Sequence, residues 1–158
     1  MTIDNFIQKV QLLITDLQVT IPDYIGSKVA VDSIAIVKTR VEQKGQAADG
    51  GGFSPYSAYT AKKKKERGKS GVKNFSDTRQ MWKSFKVTET VQQGDVFVTH
   101  TRMDDNTRNS GLTNQEIMEK HSKNEGKSII DMSKTEIKNM ETNVQTWTEK
   151  LIKQRLGL

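Results

Sequence analysis

Residues 44–85 hold no sustained period, neither the three-four spacing of an amphipathic helix nor the alternation of a strand, and this gap governs how the rest of the chain can be arranged. The stretch reads KGQAADGGGFSPYSAYTAKKKKERGKSGVKNFSDTRQMWKSF. It follows a helical pattern, passes through Gly50, Gly51 and Gly52, carries seven cations between Lys62 and Lys73, and ends in a short helical turn over residues 77–84. A loop of about 30 residues far exceeds the usual connection in a small domain and is normally functional or disordered. The glycines free the backbone and the like charges repel, so residues 46–76 are expected to form an extended arm that gains order only against a partner. The remainder of 1–158 is expected to be a single domain.

The flanking patterns are clear. Ile3, Phe6, Ile7, Val10, Leu13, Ile14 and Leu17 fall on one helical face, whose polar flank is nearly uncharged at Gln8, Gln11 and Thr15. Pro22 is expected to break this helix. A second follows over 27–44, with Ala30, Ile34, Val37 and Val41 as its stripe and Gly45 as its cap. A short connection predicts an antiparallel pair. Residues 85–91 and 96–100 alternate at period two around Gln92-Gln93-Gly94-Asp95, the pattern of a β-hairpin. A helix is expected from Asn114 to about Lys123, and Ser133 with Glu136 makes a capping box for a last helix with Ile137, Met140, Val144, Trp147, Leu151 and Ile152 along one side. The fold class is therefore α+β: an N-terminal helix pair and C-terminal helices packed on a small antiparallel sheet or hairpin, with a long basic glycine-containing loop.

Charge is unevenly spread. Between Thr60 and Lys86 ten Lys or Arg face only Glu66 and Asp77, so that window carries +8; the whole chain carries +6, leaving −2 for the rest. Hydrophobic residues make up 34% of the sequence and charged ones 28%, a lean supply for a self-sufficient core, which points to burial against neighbours. With no cysteine, the chain has neither disulfides nor thiolate metal sites nor a cysteine nucleophile. The absence of a long apolar run and of a basic-then-apolar N-terminus predicts a soluble chain without an export signal and with no membrane partner.

Catalytic signals are weak throughout. Gly68-Lys69-Ser70 and Gly126-Lys127-Ser128 lack the earlier glycine of a phosphate loop, for which Lys63 and His121 stand instead. Asp104-Asp105-Asn106 begins like a calcium loop but is followed by Arg108 where a ligand is needed. His100 and His121 lie in separate elements. The sequence thus predicts no enzyme, no cofactor and no metal site.

Four pieces of the central stretch carry a family likeness: Lys44-Gly45-Gln46, Asp49-Gly50-Gly51, Pro55-Tyr56-Ser57-Ala58-Tyr59, and Ser76-Asp77-Thr78-Arg79-Gln80-Met81-Trp82-Lys83-Ser84-Phe85. With the run from Ile117-Met118-Glu119-Lys120-His121 to Gly126, they resemble the head–tail joining proteins of tailed bacteriophages, the neck or tail-completion family of virion morphogenesis. Arg79 stands where that family usually has glycine. The resemblance implies a structural subunit of the virion, assembled in the cytoplasm of the bacterial host. It implies a homo-oligomeric ring, sixfold or twelvefold, that joins the portal and head to the tail.

On that reading the arm touches neighbouring virion proteins, and packaged DNA non-specifically, through Phe53, Tyr56, Tyr59, Lys62, Lys63, Lys64, Lys65, Arg67, Lys69 and Lys73. Trp82 and Phe85 anchor it to the body, and Trp147 is a core or subunit contact. The cationic run also fits two other classes, a basic nucleic-acid-binding protein and a phage morphogenesis factor that does not enter the virion.

Overall fold

The computed structural model describes residues 3–69, 71–75, 80–93, 96–104 and 111–158. Several expectations fall outside these residues: the Ser76-Asp77-Thr78-Arg79 part of the family motif, Ser70 of the first Gly-Lys-Ser triplet, the Gly94-Asp95 turn, and Asp105, Asn106 and Arg108 of the calcium-like loop.

The chain is α+β, with helices around a two-stranded antiparallel sheet. Helix α1 spans Ile3–Gln18 and α2 spans Thr20–Thr39, and a π-type turn at Arg40–Lys44 prolongs α2 to Gly45. The two do not fold back on each other, contrary to the antiparallel pair expected from sequence. Pro22 sits in the first turn of α2, where a missing N–H costs nothing, so it starts a helix rather than ending one. Val19 alone departs from helical geometry (φ −130°, ψ −63°), and the bonds Val19 N–H to Thr15 O and Asp23 N–H to Val19 O bracket it. The result is a bent rod.

Helix α6, Lys134–Leu156, supplies the antiparallel partner. Its start meets the end of α2 through Arg40 and Glu136, its middle meets Lys28 through Trp147, and its end meets α1 through Arg155 and Asp16. Strands β1 (Lys86–Gln93) and β2 (Val96–Arg102) pair from Lys86↔Arg102 to Gln93↔Val96, with a bulge between Val87 and Glu89. Helix α2 packs on both strands, with Gly26 facing Thr99 of β2.

The core gathers what the patterns offer. Ile34, Val37 and Val41 of the α2 stripe meet Met81, Trp82, Phe85, Met103, Met118 and Ile129. Met81 and Trp82 come from the short helix α4 (Gln80–Ser84), and Met118 from α5 (Asn114–Glu125). A capping box between Thr113 and Glu116 opens α5, and the expected one between Ser133 and Glu136 opens α6. Glu136 also pairs with Arg40, a residue 5% exposed whose guanidinium donates to Ile129 O (2.9 Å) and Asp131 O (2.7 Å). One carboxylate thus caps α6 and ties it to α2.

A cationic helix on a clasped loop

The central stretch is not an extended arm. Residues 58–66 form helix α3, Ala58–Glu66, within it. Ser57 caps it by accepting from Thr60 N–H at 3.3 Å. Lys63, Lys64 and Lys65 occupy the last turn, where the helix dipole favours positive charge and offsets their mutual repulsion. The chain leaves through Gly68 (φ +65°), with Gly68 N–H bonded to Lys65 O and Lys69 N–H to Lys64 O, the paired bonds of a Schellman ending. Alanine, lysine and glutamate are all good helix formers, so the local sequence supports the helix once its ends are capped.

The glycines are not a free hinge either. Gln46 and Gly52 form a bridge, Ala47 N–H donates to Gly51 O at 2.9 Å, and Ala48 N–H donates to Ser128 O at 3.0 Å. Lys127 fastens this turn through Gly52 O (3.2 Å) and Asp49 (3.7 Å). That use also disposes of the second Gly-Lys-Ser triplet as a phosphate cradle. Gly126 ends α5, and the N–H groups of Gly126 and Lys127 are spent on Lys123 O and Ser122 O.

Glu125 clasps the loop at its base. It accepts from Ser54 N–H at 2.8 Å on the outgoing side and pairs with Lys73 Nζ at 2.5 Å on the returning side. Its side chain is 3% exposed. Burial pushes its pKa upward, but the hydrogen bonds from Lys73 and Ser54 outweigh that and hold the carboxyl below its ordinary range. Beside the clasp, Phe53 and Phe75 meet edge to face with centroids 4.9 Å apart, and Phe75 lies against His121 at 4.8 Å. Asn74 Nδ2 donates to Glu42 O at 3.3 Å, and Trp82 Nε1 donates to Asn74 O at 3.2 Å. Gly45 (φ +62°) closes α2 under Val72, with no room for a Cβ between them.

The residues singled out from sequence separate into two groups. Phe53 packs against the core, Tyr56 takes the Lys64 ammonium over its ring at 4.4 Å, and Lys73 is in the clasp. Lys64 itself is 5% exposed, its stem covered and its charge against an aromatic face. These four hold the loop to the body. Outward lie Lys62, Lys63, Lys65 and Arg67, with Tyr59 67% exposed and Lys63 Nζ 4.7 Å over its ring; Lys69 is half-buried.

Trp82 and Phe85 are in the core, at 2% and 5% exposure. Trp147 is half-buried, with Lys28 Nζ 4.3 Å from its ring centroid. Sequence reasoning missed Glu125, Asn74, Phe75, His121, Lys127 and the buried role of Lys64. Most of these find partners far away along the chain, and the signal that was available was the Ser57 cap before a run of helix-forming residues.

The surface this leaves is a short helix presenting Tyr59, Lys62, Lys63 and Lys65 outward. Among the described residues no group of three His, Cys, Asp or Glu side chains is placed to hold a metal, and no helix is long and apolar enough to cross a membrane. No protein-family model matches the chain, and no curated protein or solved structure matches it either.

Proposed function

We propose that the chain is a structural subunit of a tailed-phage neck, part of a sixfold or twelvefold ring joining head to tail, and that the outer face of α3 engages an acidic face of an adjoining virion protein. The family likeness of the central stretch supplies the setting. The observation that carries the contact is the division of labour among the lysines: Lys64 is turned inward beneath Tyr56, while Lys62, Lys63 and Lys65 are held outward on a loop clasped at its base. Cations at fixed helical spacing, with Tyr59 among them, suit a complementary surface of fixed shape.

Packaged DNA is the second partner such a face would serve. Its contacts would be independent of base sequence, and log affinity would fall with log salt by about 0.9 for each phosphate neutralised. The test is the triple variant Lys62→Gln, Lys63→Gln, Lys65→Gln in the encoding phage, with Lys64 left in place because it is buried. Heads and tails that fail to join, from particles in which mass spectrometry finds the chain, are the expected result. Joined particles that leak DNA would transfer the role of α3 to nucleic acid, and absence of the chain from purified virions would overturn the neck reading.

A further inference from the structure

Helix α3 lacks what ordinarily fixes the rotation of a surface helix. Such a helix settles on its neighbours by burying an apolar stripe. The nine residues Ala58–Glu66 hold one large apolar group, the ring of Tyr59, and it is 67% exposed. The side that meets the body is made of Thr60, Ala61 and Lys64, of which Lys64 is buried and the other two half-buried. Lys62, Lys63, Lys64 and Lys65 are identical in charge and in helix propensity, so the run itself does not say which of them turns inward.

The choice is made outside the helix. Tyr56 stands just before the Ser57 cap, half-buried, with the Lys64 ammonium 4.4 Å from its ring centroid. The ring is itself held. Its hydroxyl accepts from Asn74 N–H at 3.4 Å, Asn74 Nδ2 donates to Glu42 O at 3.3 Å, and Trp82 Nε1 donates to Asn74 O at 3.2 Å. Asn74 thus ties the ring to the π-type turn after α2 and, through the buried Trp82, to the core. Tyr59 takes Lys63 in the same way at 4.7 Å, but on the outer surface, where both residues are exposed.

We infer that Tyr56 positions the binding face of α3: by receiving Lys64 it fixes the rotation of the helix and so decides which cations point outward. The inference deepens the contact proposed above and rests on it for its consequence in the virion. Successive residues of a helix are separated by about 100° around the axis. Turning α3 by one residue to place Lys63 beneath the ring would carry Tyr59 inward and Ala61 outward. Turning it the other way, to place Lys65 there, would withdraw Lys62 and bring Thr60 out. The face that combines Tyr59 with Lys62 and Lys63 therefore belongs to the rotation in which Lys64 is inward. A cation over an aromatic face, with its stem covered, is strong enough to select that rotation where no apolar stripe competes.

Acetylation of amines, read residue by residue by fragmentation mass spectrometry, tests the positioning in the isolated chain. In the unmodified chain Lys64 should react about tenfold more slowly than Lys62 and Lys65. Lys73, largely buried in the clasp, is the internal control. Tyr56→Leu keeps apolar bulk and removes the aromatic face; Lys64 should then react like its neighbours while Lys73 stays protected. Tyr56→Phe keeps the ring and loses the hydroxyl, and should retain most of the protection of Lys64. Lys64 as reactive as Lys62 in the unmodified chain, unchanged protection in Tyr56→Leu, or equal loss in Tyr56→Phe and Tyr56→Leu would each overturn the inference. So would deprotection of Lys64 and Lys73 together in Tyr56→Leu, because the ring would then hold the loop as a whole and not the rotation of α3.

The same variant separates the positioning from the contact it serves. In the encoding phage Tyr56→Leu leaves every charge of the chain in place, and it should nonetheless impair the joining of heads to tails. Normal joining by a Tyr56→Leu chain whose Lys64 is deprotected would leave the positioning standing and remove α3 from the joining contact.

Discussion

Trp82→Ala is the substitution whose cost can be worked most directly. Trp82 is 2% exposed, lies 6.4 Å from Phe85 between ring centroids, and donates through Nε1 to Asn74 O at 3.2 Å. Removing a buried aromatic ring costs about 3–5 kcal/mol in transfer and cavity terms. The carbonyl of Asn74 also loses its donor, which adds about 1 kcal/mol and places the sum toward the top of that range. Trp82→Phe keeps most of the apolar area and isolates the hydrogen bond, so it should cost only about 1–2 kcal/mol beyond the small volume change. Urea unfolding followed by circular dichroism measures both, and hydrogen exchange over 71–75 reads whether the returning limb of the loop loosens. A loss below about 1 kcal/mol for Trp82→Ala would show that the indole is not in the core and would refute the reasoning.

Two further outcomes follow from buried charge. The folded-state pKa of Glu125 is lowered, so its contribution is present above the ordinary glutamate range and lost as pH falls through the folded value; acid titration of stability should therefore be flatter in Glu125→Gln than in the unmodified chain, and parallel curves would remove the clasp from the account. Arg40→Met strands Ile129 O, Asp131 O and the Glu136 carboxylate and should cost about 3–5 kcal/mol by urea unfolding, partly recovered by adding Glu136→Gln; a cost near zero would show that the guanidinium is dispensable.

The elements with strong periodicity were legible in the sequence. The α2 stripe, the α6 capping box and the hairpin all came from spacing that a helix or strand imposes by itself; the hairpin strands agree with the structure to about two residues at their ends, whereas α2 starts at Thr20, well before the expected residue 27. Two features misled. Pro22 reads as a stop when considered alone, but in a first turn it is a start, and only the geometry at Val19 decides which. The lysine run reads as repulsive and mobile, yet Lys64 is held over the Tyr56 ring and Lys63 and Lys65 sit at the favourable end of a dipole. The clasp was invisible for a different reason. Glu125 is 71 positions from Ser54 and 52 from Lys73, and no local pattern announces a partner at such distance.

Because Phe53 and Phe75 touch, the chain leaves the body and comes back at a single place, and the length between them is a free variable. Doubling such a loop adds only about 0.6 kcal/mol of closure entropy. The outward residues Tyr59, Lys62, Lys63, Lys65 and Arg67 can therefore be exchanged without shifting the register of α2, the hairpin or α6, whereas Tyr56, Lys64 and Val72 stay tied to the body. The basic helix is a cassette on a socket. Its surface charge and the packing of the core that positions it are thus set by separate residues.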